Sequence, residues 1–416
     1  MAGTHYEVMY KRVSLFACCL SVVLTLVCQA CALPQGKNGS DRYVVVLSMD
    51  GFRADYPEKA CTPTLDSLAR VGVRADFRPC FPSVTFPNHY AMATGLYSDH
   101  NGLVNNAFYA ADLDEVYSSR DGKAVANPAF YGGEPVWNTA QRQGVNTATF
   151  FWVGSETAVN GRKPSIWKPF DSKVSFKNRA DSVITWLQLP ESIRPHLIMW
   201  YTEEPDATAH GASPDSPATI AMAEKLDSLL AYFFAEARKL DIFDKIDFIV
   251  LSDHGMATSY PERYVNLNDY LPRDSFDFIF DGVPTLLYTK ESYRETAYQI
   301  LQKIPRIKAY KKEELPERLM YGKHPRVGDL VVIPDIGTSV QFREQSSPRF
   351  GGNHGYDNAA TEMQAIFYAA GPSFKKNTRI QTPIPNVNLY LLLTTLLNLE
   401  PSPNDGEQEQ VRQLLK

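Results

Sequence analysis

Short apolar runs alternate with longer amphipathic segments along most of this chain. The apolar runs predict buried strands at Tyr43–Met49, Ala148–Trp152, Leu197–Tyr201, Phe248–Leu251, Leu286–Tyr288, Leu330–Ile333 and Ala365–Ala369. The amphipathic segments predict helices from Thr62-Pro63 to Arg70 and at Thr219–Leu240, Glu291–Lys303 and Asn386–Asn398. Near-continuous apolar strands between amphipathic helices are typical of parallel sheets covered on both faces. We therefore predict an α/β fold with a largely parallel central sheet flanked by helices on both faces.

The candidate functional motifs extend from Asp50 to His354 and make chemical sense only together, so we predict one catalytic domain over residues 42–406 and a C-terminal tail at 407–416. Asp112–Pro135 and Trp152–Asp171 are rich in Gly, Pro, Asn and charged residues. Such segments are typical of long surface loops or of a small inserted lobe over a site.

The first 32 residues have the order of a secretory signal peptide. Lys11 and Arg12 precede an apolar run, Val13–Cys28, and the small residues Ala30-Cys31-Ala32 follow it. The run of about 16 residues is shorter than the ~20 that span a bilayer, so we expect export to the periplasm, the cell surface or the medium. A retained N-terminal anchor is the alternative, and a lipid on Cys28 or Cys31 stays open.

Composition narrows the classes of partner. The 416 residues carry 42 Lys and Arg against 47 Asp and Glu, a net charge of −5, so no broad basic surface for duplex nucleic acid is expected. An anionic substrate would therefore need to be bound by local positive charge, such as that of metal ions. Beyond residue 32 only Cys61 and Cys80 remain, and their pairing stays open, as does the oligomeric state.

Acidic residues follow three of the predicted strands. Asp50 comes directly after the first strand, Asp253-His254 come just after the strand ending at Leu251, and Asp206 comes five residues after Tyr201. In open α/β sheets, ligands collect at the carboxyl ends of the strands. One such acid is usually a helix cap, but three of them indicate a site.

Two further histidines extend this pattern. His210 stands four residues after Asp206, a spacing that places both on one face of a helix, and His354 is flanked by glycines that allow close backbone approach. The remaining histidines, His89, His100, His196 and His324, are expected to be hydrogen-bonded structural residues.

The ligand candidates form two groups: Asp50, Asp253 and His254, and Asp206, His210 and His354. Mixed nitrogen and oxygen ligands with open positions suit catalytic zinc better than magnesium, which prefers oxygen ligands. Spacing alone does not assign each ligand to one ion.

Thr85 is a candidate nucleophile. It lies just before Pro87 at a predicted helix start, where the first amides could face an anion. The same pattern also fits a simple helix cap. A two-metal phosphoryl site, however, needs a group that attacks phosphorus.

Five motifs together resemble the nucleotide pyrophosphatase/phosphodiesterase family of the alkaline phosphatase superfamily, in a minimal secreted form. They are Ser48-Met49-Asp50-Gly51-Phe52-Arg53, Thr85-Phe86-Pro87-Asn88-His89-Tyr90 with Thr94-Gly95-Leu96-Tyr97, Tyr201-Thr202-Glu203-Glu204-Pro205-Asp206 with His210-Gly211, Ser252-Asp253-His254-Gly255-Met256, and Asn353-His354-Gly355-Tyr356. They occur in the family's order.

The resemblance implies two zinc ions and a threonine nucleophile. One ion would be held by Asp50, Thr85, Asp253 and His254, and the other by Asp206, His210 and His354. It also implies a covalent nucleotidyl-threonine intermediate and an asparagine that donates to a phosphate oxygen. Asn106 is the expected counterpart, with Asn105 as the alternative.

Aromatic residues near these motifs could bind a nucleobase. Phe86, Tyr201 and Phe170 are the candidates, with Trp167 as an alternative to Phe170. The segment Trp152–Phe170 is similar to one that nucleotide-cleaving members keep and lysophospholipid-cleaving members lack, which favours nucleotides.

Other activities are weighed against this one. A choline-phosphate or lysophospholipid phosphodiesterase ranks second, with Glu203, Glu204, Tyr201 and Trp152 as parts of an ammonium cage. A sulfatase is excluded because Val84 stands where its motif needs Arg, whereas a phosphomonoesterase and an inactive binding relative stay open.

Overall fold

The structure, a computed structural model, describes residues 41–345 and 350–416. The expected signal peptide and the two cysteines considered for a lipid lie outside these residues. No helix within the described part is long and apolar enough to cross a membrane.

The elements are numbered in chain order. The strands are β1 Tyr43–Met49, β2 Val73–Arg78, β3 Ala107–Ala110, β4 Glu115–Ser118, β5 Thr147–Phe150, β6 Ile166–Lys168, β7 Leu197–Thr202, β8 Ile246–Leu251, β9 Ala257–Ser259, β10 Tyr264–Asn266, β11 Phe276–Phe280, β12 Thr285–Thr289, β13 Ile307–Lys311, β14 Leu330–Pro334, β15 Ser339–Gln341, β16 Gly351–Asn353, β17 Ala365–Ala370, β18 Thr378–Arg379 and β19 Ile384–Pro385. The α-helices are α1 Tyr56–Lys59, α2 Pro63–Val71, α3 Thr85–Thr94, α4 Ser98–Asn101, α5 Gly122–Val125, α6 Val136–Arg142, α7 Phe176–Leu187, α8 Asp206–Ala212, α9 Pro217–Ala237, α10 Arg294–Leu301, α11 Asn388–Leu396 and α12 Gln408–Arg412. Short 3₁₀ helices lie at Pro128–Phe130, Val159–Gly161, Phe243–Lys245, Pro261–Arg263, Leu267–Asp269, Arg273–Ser275, Glu291–Tyr293, Lys312–Glu314, Glu317–Leu319 and Thr361–Met363.

A nine-stranded sheet forms the centre, in the order β18-β2-β17-β8-β1-β7-β5-β6, with β19 also paired to β2. Strands β8, β1, β7, β5 and β6 run parallel to one another. Strand β17 is antiparallel to both β8 and β2, so one strand of the predicted parallel set is reversed. The α/β class is confirmed.

Helices cover both faces of this sheet. Successive side chains of β1 point to opposite faces, so apolar residues emerge on each of them. Val44 and Val46 pack into a core with α6 and α11, whereas Val45 and Leu47 pack into a second core with α7 and α9. This two-sided burial explains why β1 is apolar at nearly every position.

Two of the predicted strands lie elsewhere. Leu286–Tyr288 and Leu330–Ile333 belong to β12 and β14, which pair antiparallel in a separate four-stranded sheet, β11-β12-β14-β13. The prediction of parallel partners was wrong for both. This sheet is apolar because α10 and the segment 265–271 bury one face of it in a core of their own.

The two segments rich in Gly and Pro carry short elements rather than only loops. Residues 107–131 contribute the hairpin β3–β4 and α5, and they share a core with Val159 and with side chains of β12 and β14. At the other end, residues 407–416 contain α12, and Val411 and Leu414 are buried in the main core. Cys61 is exposed, Cys80 is buried, and both are free.

Candidate active site

The three strands that carry the acids are neighbours, as expected. Strand β1 lies between β7 and β8, with Ser48 opposite both Tyr201 and Leu251. Asp50 and Asp253 therefore emerge side by side, and Asp206 begins α8 just beyond β7. Parallel pairing brings the carboxyl ends of all three strands to one edge, which is why residues about 200 positions apart meet here.

Gly51 allows Asp50 and Asp206 to approach. The Asp206 amide donates to the Asp50 carbonyl at 3.0 Å, and Gly51 has a φ of +65°. A Cβ on Gly51 would lie 2.8 Å from the Asp206 Cβ, so any side chain would force the two segments apart.

The glycines before His354 have a similar effect. Strand β16 passes α8 so closely that a Cβ on Gly352 would lie 2.6 Å from the Ala209 carbonyl oxygen. His354 Nε2 consequently lies 3.1 Å from His210 Nε2 and 3.5 Å from an Asp206 carboxylate oxygen. The close approach predicted from the glycines is confirmed.

The acids and histidines form two adjoining clusters whose donor atoms lie within 4.8 Å of one another. These are Asp50, Asp253 and His254, and Asp206, His254 and His354. His254 belongs to both, which spacing did not reveal. His210 is exposed and adjoins the second cluster, with its Nε2 3.4 Å from Asp206 Oδ2.

The chemistry of these donors fits divalent cations. Two buried carboxylate oxygens, Asp50 Oδ1 and Asp206 Oδ1, have no hydrogen-bond donor among the described residues, and Asp253 Oδ2 faces only ring nitrogens of His89 and His254 at 3.3 and 3.2 Å. Burying an acceptor unpaired costs free energy, and a metal ion would remove that cost.

Each histidine of the site is held through its other ring nitrogen. The Nδ1 atoms of His210, His254 and His354 lie 2.9 to 3.0 Å from the carbonyl oxygens of Gly352, Gly255 and Ser83. Donation from Nδ1–H to a carbonyl fixes the tautomer in which Nε2 carries the lone pair. All three Nε2 atoms are thereby prepared as metal ligands.

The pKa shifts within the site also favour binding of a divalent cation. Burial, together with Asp253 and Asp206, raises the pKa of Asp50 well above its usual range. Burial and the neighbouring histidines lower the pKa of His354 well below its usual value, so the ring stays neutral and able to ligate. A cation among the acids would offset their mutual repulsion.

Thr85 lies at the edge of the first cluster. It is the first residue of α3, whose N-cap position is Val84, and its hydroxyl makes no capping bond. Its Oγ1 lies 3.3 Å from His254 Nε2. The alternative of a simple helix cap is thus not supported, whereas the position fits a nucleophile.

Asn106 faces the same helix start. Its Oδ1 accepts from the Phe86 amide at 3.0 Å, which leaves its Nδ2 as a donor beside Thr85. Asn105 is buried and its Oδ1 accepts from the Asn106 amide, so Asn106 fits the phosphate-binding role better.

His89 is a hydrogen-bonded structural histidine, as predicted, but it also touches the site. Its Nδ1 lies 3.0 Å from the Thr85 carbonyl and 3.3 Å from Asp253 Oδ2, and its Nε2 lies 2.9 Å from Ser48 Oγ. Burial raises the pKa of Asp253, but His254 and His89 outweigh it and hold that pKa below its usual range. The four-residue spacing of Thr85 and His89 was the available signal.

Tyr201 touches the first cluster directly. Its hydroxyl donates to Asp50 Oδ2 at 2.6 Å, and its ring makes an edge contact with His89 at 5.1 Å. Asp50 Oδ2 is thus occupied, while Oδ1 faces the cluster.

A cleft of about 320 Å³ opens beside Thr85. We call it the aromatic cleft because four aromatic side chains line it: Phe86, Phe151, Phe170 and Tyr201. Phe151 was not predicted, and Glu156 and Arg120 also line this cleft. The cleft brings together the three residues predicted to bind a base.

Several residues considered for substrate contact are placed elsewhere. Trp152 is fully buried and donates to the His89 carbonyl, and Trp167 lies on β6 outside the residues that line the cleft. Glu203 forms a two-point ion pair with the buried Arg179. Two of the four residues considered for an ammonium cage, Trp152 and Glu203, are therefore engaged in internal contacts, whereas Tyr201 lines the cleft.

Arg53, buried in the structure, joins the segments that carry the ligands. It donates to Asp55 beside Asp50, to the Met256 carbonyl after His254, and to Asp215 after α8. Its role was not evident from sequence because its partners are up to 203 positions away.

The fold, the acids and histidines near the strand ends and the threonine at the start of α3 define an alkaline phosphatase-like α/β protein. A model of the type I phosphodiesterase / nucleotide pyrophosphatase family matches residues 44–357. The chain belongs to this family, which confirms the resemblance found in its motifs.

Named relatives agree with this membership. The chain is 34% identical over 403 residues to ectonucleotide pyrophosphatase/phosphodiesterase family member 3 of Bos taurus, covering 94% of this chain and 46% of the relative. It is 35% identical over 386 residues to venom phosphodiesterase CdcPDE of Crotalus durissus collilineatus, covering 90% and 46%. The chain thus spans about half the length of these relatives.

Solved structures show the same fold. Murine ectonucleotide pyrophosphatase/phosphodiesterase 5 superposes with a TM-score of 0.86 at 32% identity, covering 90% of this chain and 100% of that one. An inactive form of that murine protein has been solved in complex with AMP.

Proposed function

We propose that this protein is an exported, two-zinc phosphodiesterase and nucleotide pyrophosphatase that releases nucleoside 5′-monophosphates. The observation that carries the proposal is the position of Thr85, 3.3 Å from His254 in the first cluster and at the mouth of the aromatic cleft. Family membership and the named phosphodiesterase relatives support the same class of reaction.

Asp50, Asp253, His254 and Thr85 would hold one zinc ion, and Asp206, His210 and His354 the other. Zinc bound there would favour ionisation of the Thr85 hydroxyl and offset negative charge on the phosphate and the leaving oxygen. The unpaired oxygens of Asp50 and Asp206 are the observation that supports a cation.

The residues of the chain would act as follows. Thr85 Oγ1 forms a bond to phosphorus while the bond from phosphorus to the leaving oxygen breaks, which gives a nucleotidyl-threonine intermediate. Asn106 Nδ2 donates to a non-bridging phosphate oxygen, and Phe86, Phe170 and Tyr201 bind the base. Water then replaces Thr85 at phosphorus, so the two displacements retain configuration.

A choline-phosphate or lysophospholipid activity has less support, because Glu203 and Trp152 are committed to internal contacts. One assay separates the candidates. Purified zinc-loaded protein receives the nitrophenyl ester of thymidine 5′-monophosphate, nitrophenyl phosphate and nitrophenyl phosphocholine, each with and without chelator.

We expect chelator-sensitive hydrolysis of the first ester in preference to the other two. Preference for either of the others would contradict the nucleotide assignment, and no hydrolysis together with a metal content near zero would indicate an inactive relative.

A further inference from the structure

Asn106, the expected donor to the phosphate, lies at the end of a buried stretch of chain. Residues 102–105 are buried, whereas Asn106 is half-buried and its Oδ1 accepts from the Phe86 amide at the start of α3. The stretch is neither helix nor strand, because α4 ends at Asn101 and β3 begins at Ala107. Its backbone carbonyls therefore need hydrogen-bond donors from elsewhere in the fold.

Two side chains from the segment before β14 supply such donors. Arg326 Nη1 donates to the Gly102 carbonyl at 3.1 Å, and the Tyr321 hydroxyl donates to the Val104 carbonyl at 3.0 Å. Both of these side chains are buried. A Cβ on Gly102 would lie 3.0 Å from Arg326 Nη1, so the glycine lets the guanidinium reach the chain.

A carboxylate on α4 fixes the same segment from the other side. Asp99 accepts from three successive backbone amides at 2.9 to 3.1 Å: those of Gly322, Lys323 and His324. Residues 321–326 are thus bonded both to α4 and to the buried stretch that follows it.

Arg326 uses its whole guanidinium in these contacts. Its Nε and Nη2 donate to the two carboxylate oxygens of Asp112, both at 2.8 Å. The other N–H groups donate to the carbonyl oxygens of Gly102, Ala129 and Phe130. All five N–H donors thus have an acceptor, which offsets the cost of burying the charge and fixes the plane of the side chain.

Three of these acceptor residues lie in residues 107–131, directly after Asn106. The Ser119 amide in that segment donates to the Asn106 carbonyl at 2.8 Å. Arg326 therefore holds the chain before Asn106 at Gly102 and the chain after it through residues 107–131. A shift of the guanidinium would move Asn106 from both directions.

We propose that Arg326 is a positioning residue for the phosphate-binding Asn106, a proposal that rests on the proposed function. Arg326 acts by fixing Asn106 Nδ2 beside Thr85, and a misplacement of about 1 Å can lower the rate of reaction up to 100-fold. Lys at this position keeps the charge but replaces the planar fork by a single amine, so it cannot satisfy the same set of acceptors.

The test is a double-mutant cycle on kcat, measured with zinc-loaded protein and the nitrophenyl ester of thymidine 5′-monophosphate. The four proteins are the wild type, Arg326→Lys, Asn106→Ala and the double variant. Saturating ester keeps changes in base binding out of the measured rate. Arg294→Lys is the matched control, because Arg294 on α10 also pairs with a carboxylate, that of Glu313.

We expect Arg326→Lys to lower kcat about 10- to 100-fold in the wild-type background. In the Asn106→Ala background the further loss should be less than about threefold, because the donor that Arg326 positions is already absent. A merely structural role would lower kcat by the same factor in both backgrounds. Arg294→Lys should leave kcat unchanged.

Tyr321→Phe provides the same test if Arg326→Lys does not fold. It removes only the hydroxyl that donates to the Val104 carbonyl and keeps the ring that packs edge-on against Phe81. We expect a smaller loss of kcat than for Arg326→Lys, again confined to the background that retains Asn106.

Equal losses in both backgrounds would overturn the positioning role, as would wild-type kcat in a folded Arg326→Lys protein. Full kcat in Asn106→Ala would also overturn it, because Arg326 would then have no phosphate donor to position. Failure of the wild-type protein to hydrolyse the ester would instead overturn the proposed function.

Discussion

Tyr201→Phe separates two roles that the structure gives to one side chain. The ring lines the aromatic cleft, and the hydroxyl donates to Asp50 Oδ2 at 2.6 Å. Burial and the Asp50 carboxylate raise the pKa of Tyr201 well above its ordinary value, so the phenol stays protonated and remains a donor. Phe keeps the ring and removes only the donor.

The expected loss of metal affinity follows from the kind of hydrogen bond that Tyr201→Phe removes. A hydrogen bond to a charged group contributes roughly 1.5–3 kcal/mol net. At about 1.4 kcal/mol per factor of ten, Tyr201→Phe should weaken metal binding about 10- to 150-fold. Partners of metal ligands have effects of this order. Because the ring is kept, KM for nucleotides at saturating zinc should change little.

The assay is competition between the protein and a chelator, with bound zinc measured directly. Tyr232→Phe is the matched control, because the hydroxyl of Tyr232 on α9 also donates to a carboxylate, that of Asp181 on α7, at 2.5 Å. Wild-type zinc affinity in a folded Tyr201→Phe protein would refute the idea that this hydroxyl orients Asp50.

Four further outcomes are expected. Thr85→Ala should abolish turnover and keep the bound zinc, and substantial residual activity would exclude Thr85 as the nucleophile. His354→Ala should lower the metal content by about one ion per chain, so retention of both ions would show that it is not a ligand. Phe170→Ala should raise KM about 5- to 150-fold with a smaller change in kcat, from roughly 1–3 kcal/mol of lost stacking, and an unchanged KM would place the base elsewhere. Cys61 should react with a thiol reagent at pH 8 in the folded protein. Cys80, whose pKa burial raises to about 12, should react only after unfolding, as peptide mass analysis of the labelled protein would show.

Most of the candidate ligands could be predicted because their signals are local. Asp50 directly follows an apolar run, Asp253 follows another after Ser252, Asp206 and His210 have a helical spacing, and glycines precede His354. Each pattern depends on a few neighbouring residues, and the structure realises each of them.

Contacts between residues far apart in the sequence could not be predicted from such local patterns. His254 adjoins both clusters, and His89 contacts Asp253 from 164 positions away, an arrangement set by how α3 packs on the sheet. Glu203 and Trp152 looked free in sequence, but Arg179 and the His89 carbonyl hold them. Only packing decides which polar groups are already paired.

The sequence by itself determined the α/β class, the strand-end acids and the helix start at Thr85, because strand and helix periodicities and chain direction are properties of short segments. The tertiary structure alone decided that β17 runs antiparallel, that β12 and β14 form a separate sheet, and that aromatic side chains of several segments meet in one cleft beside Thr85. These features depend on which distant surfaces bury one another, and an apolar run is equally apolar in any sheet that covers it.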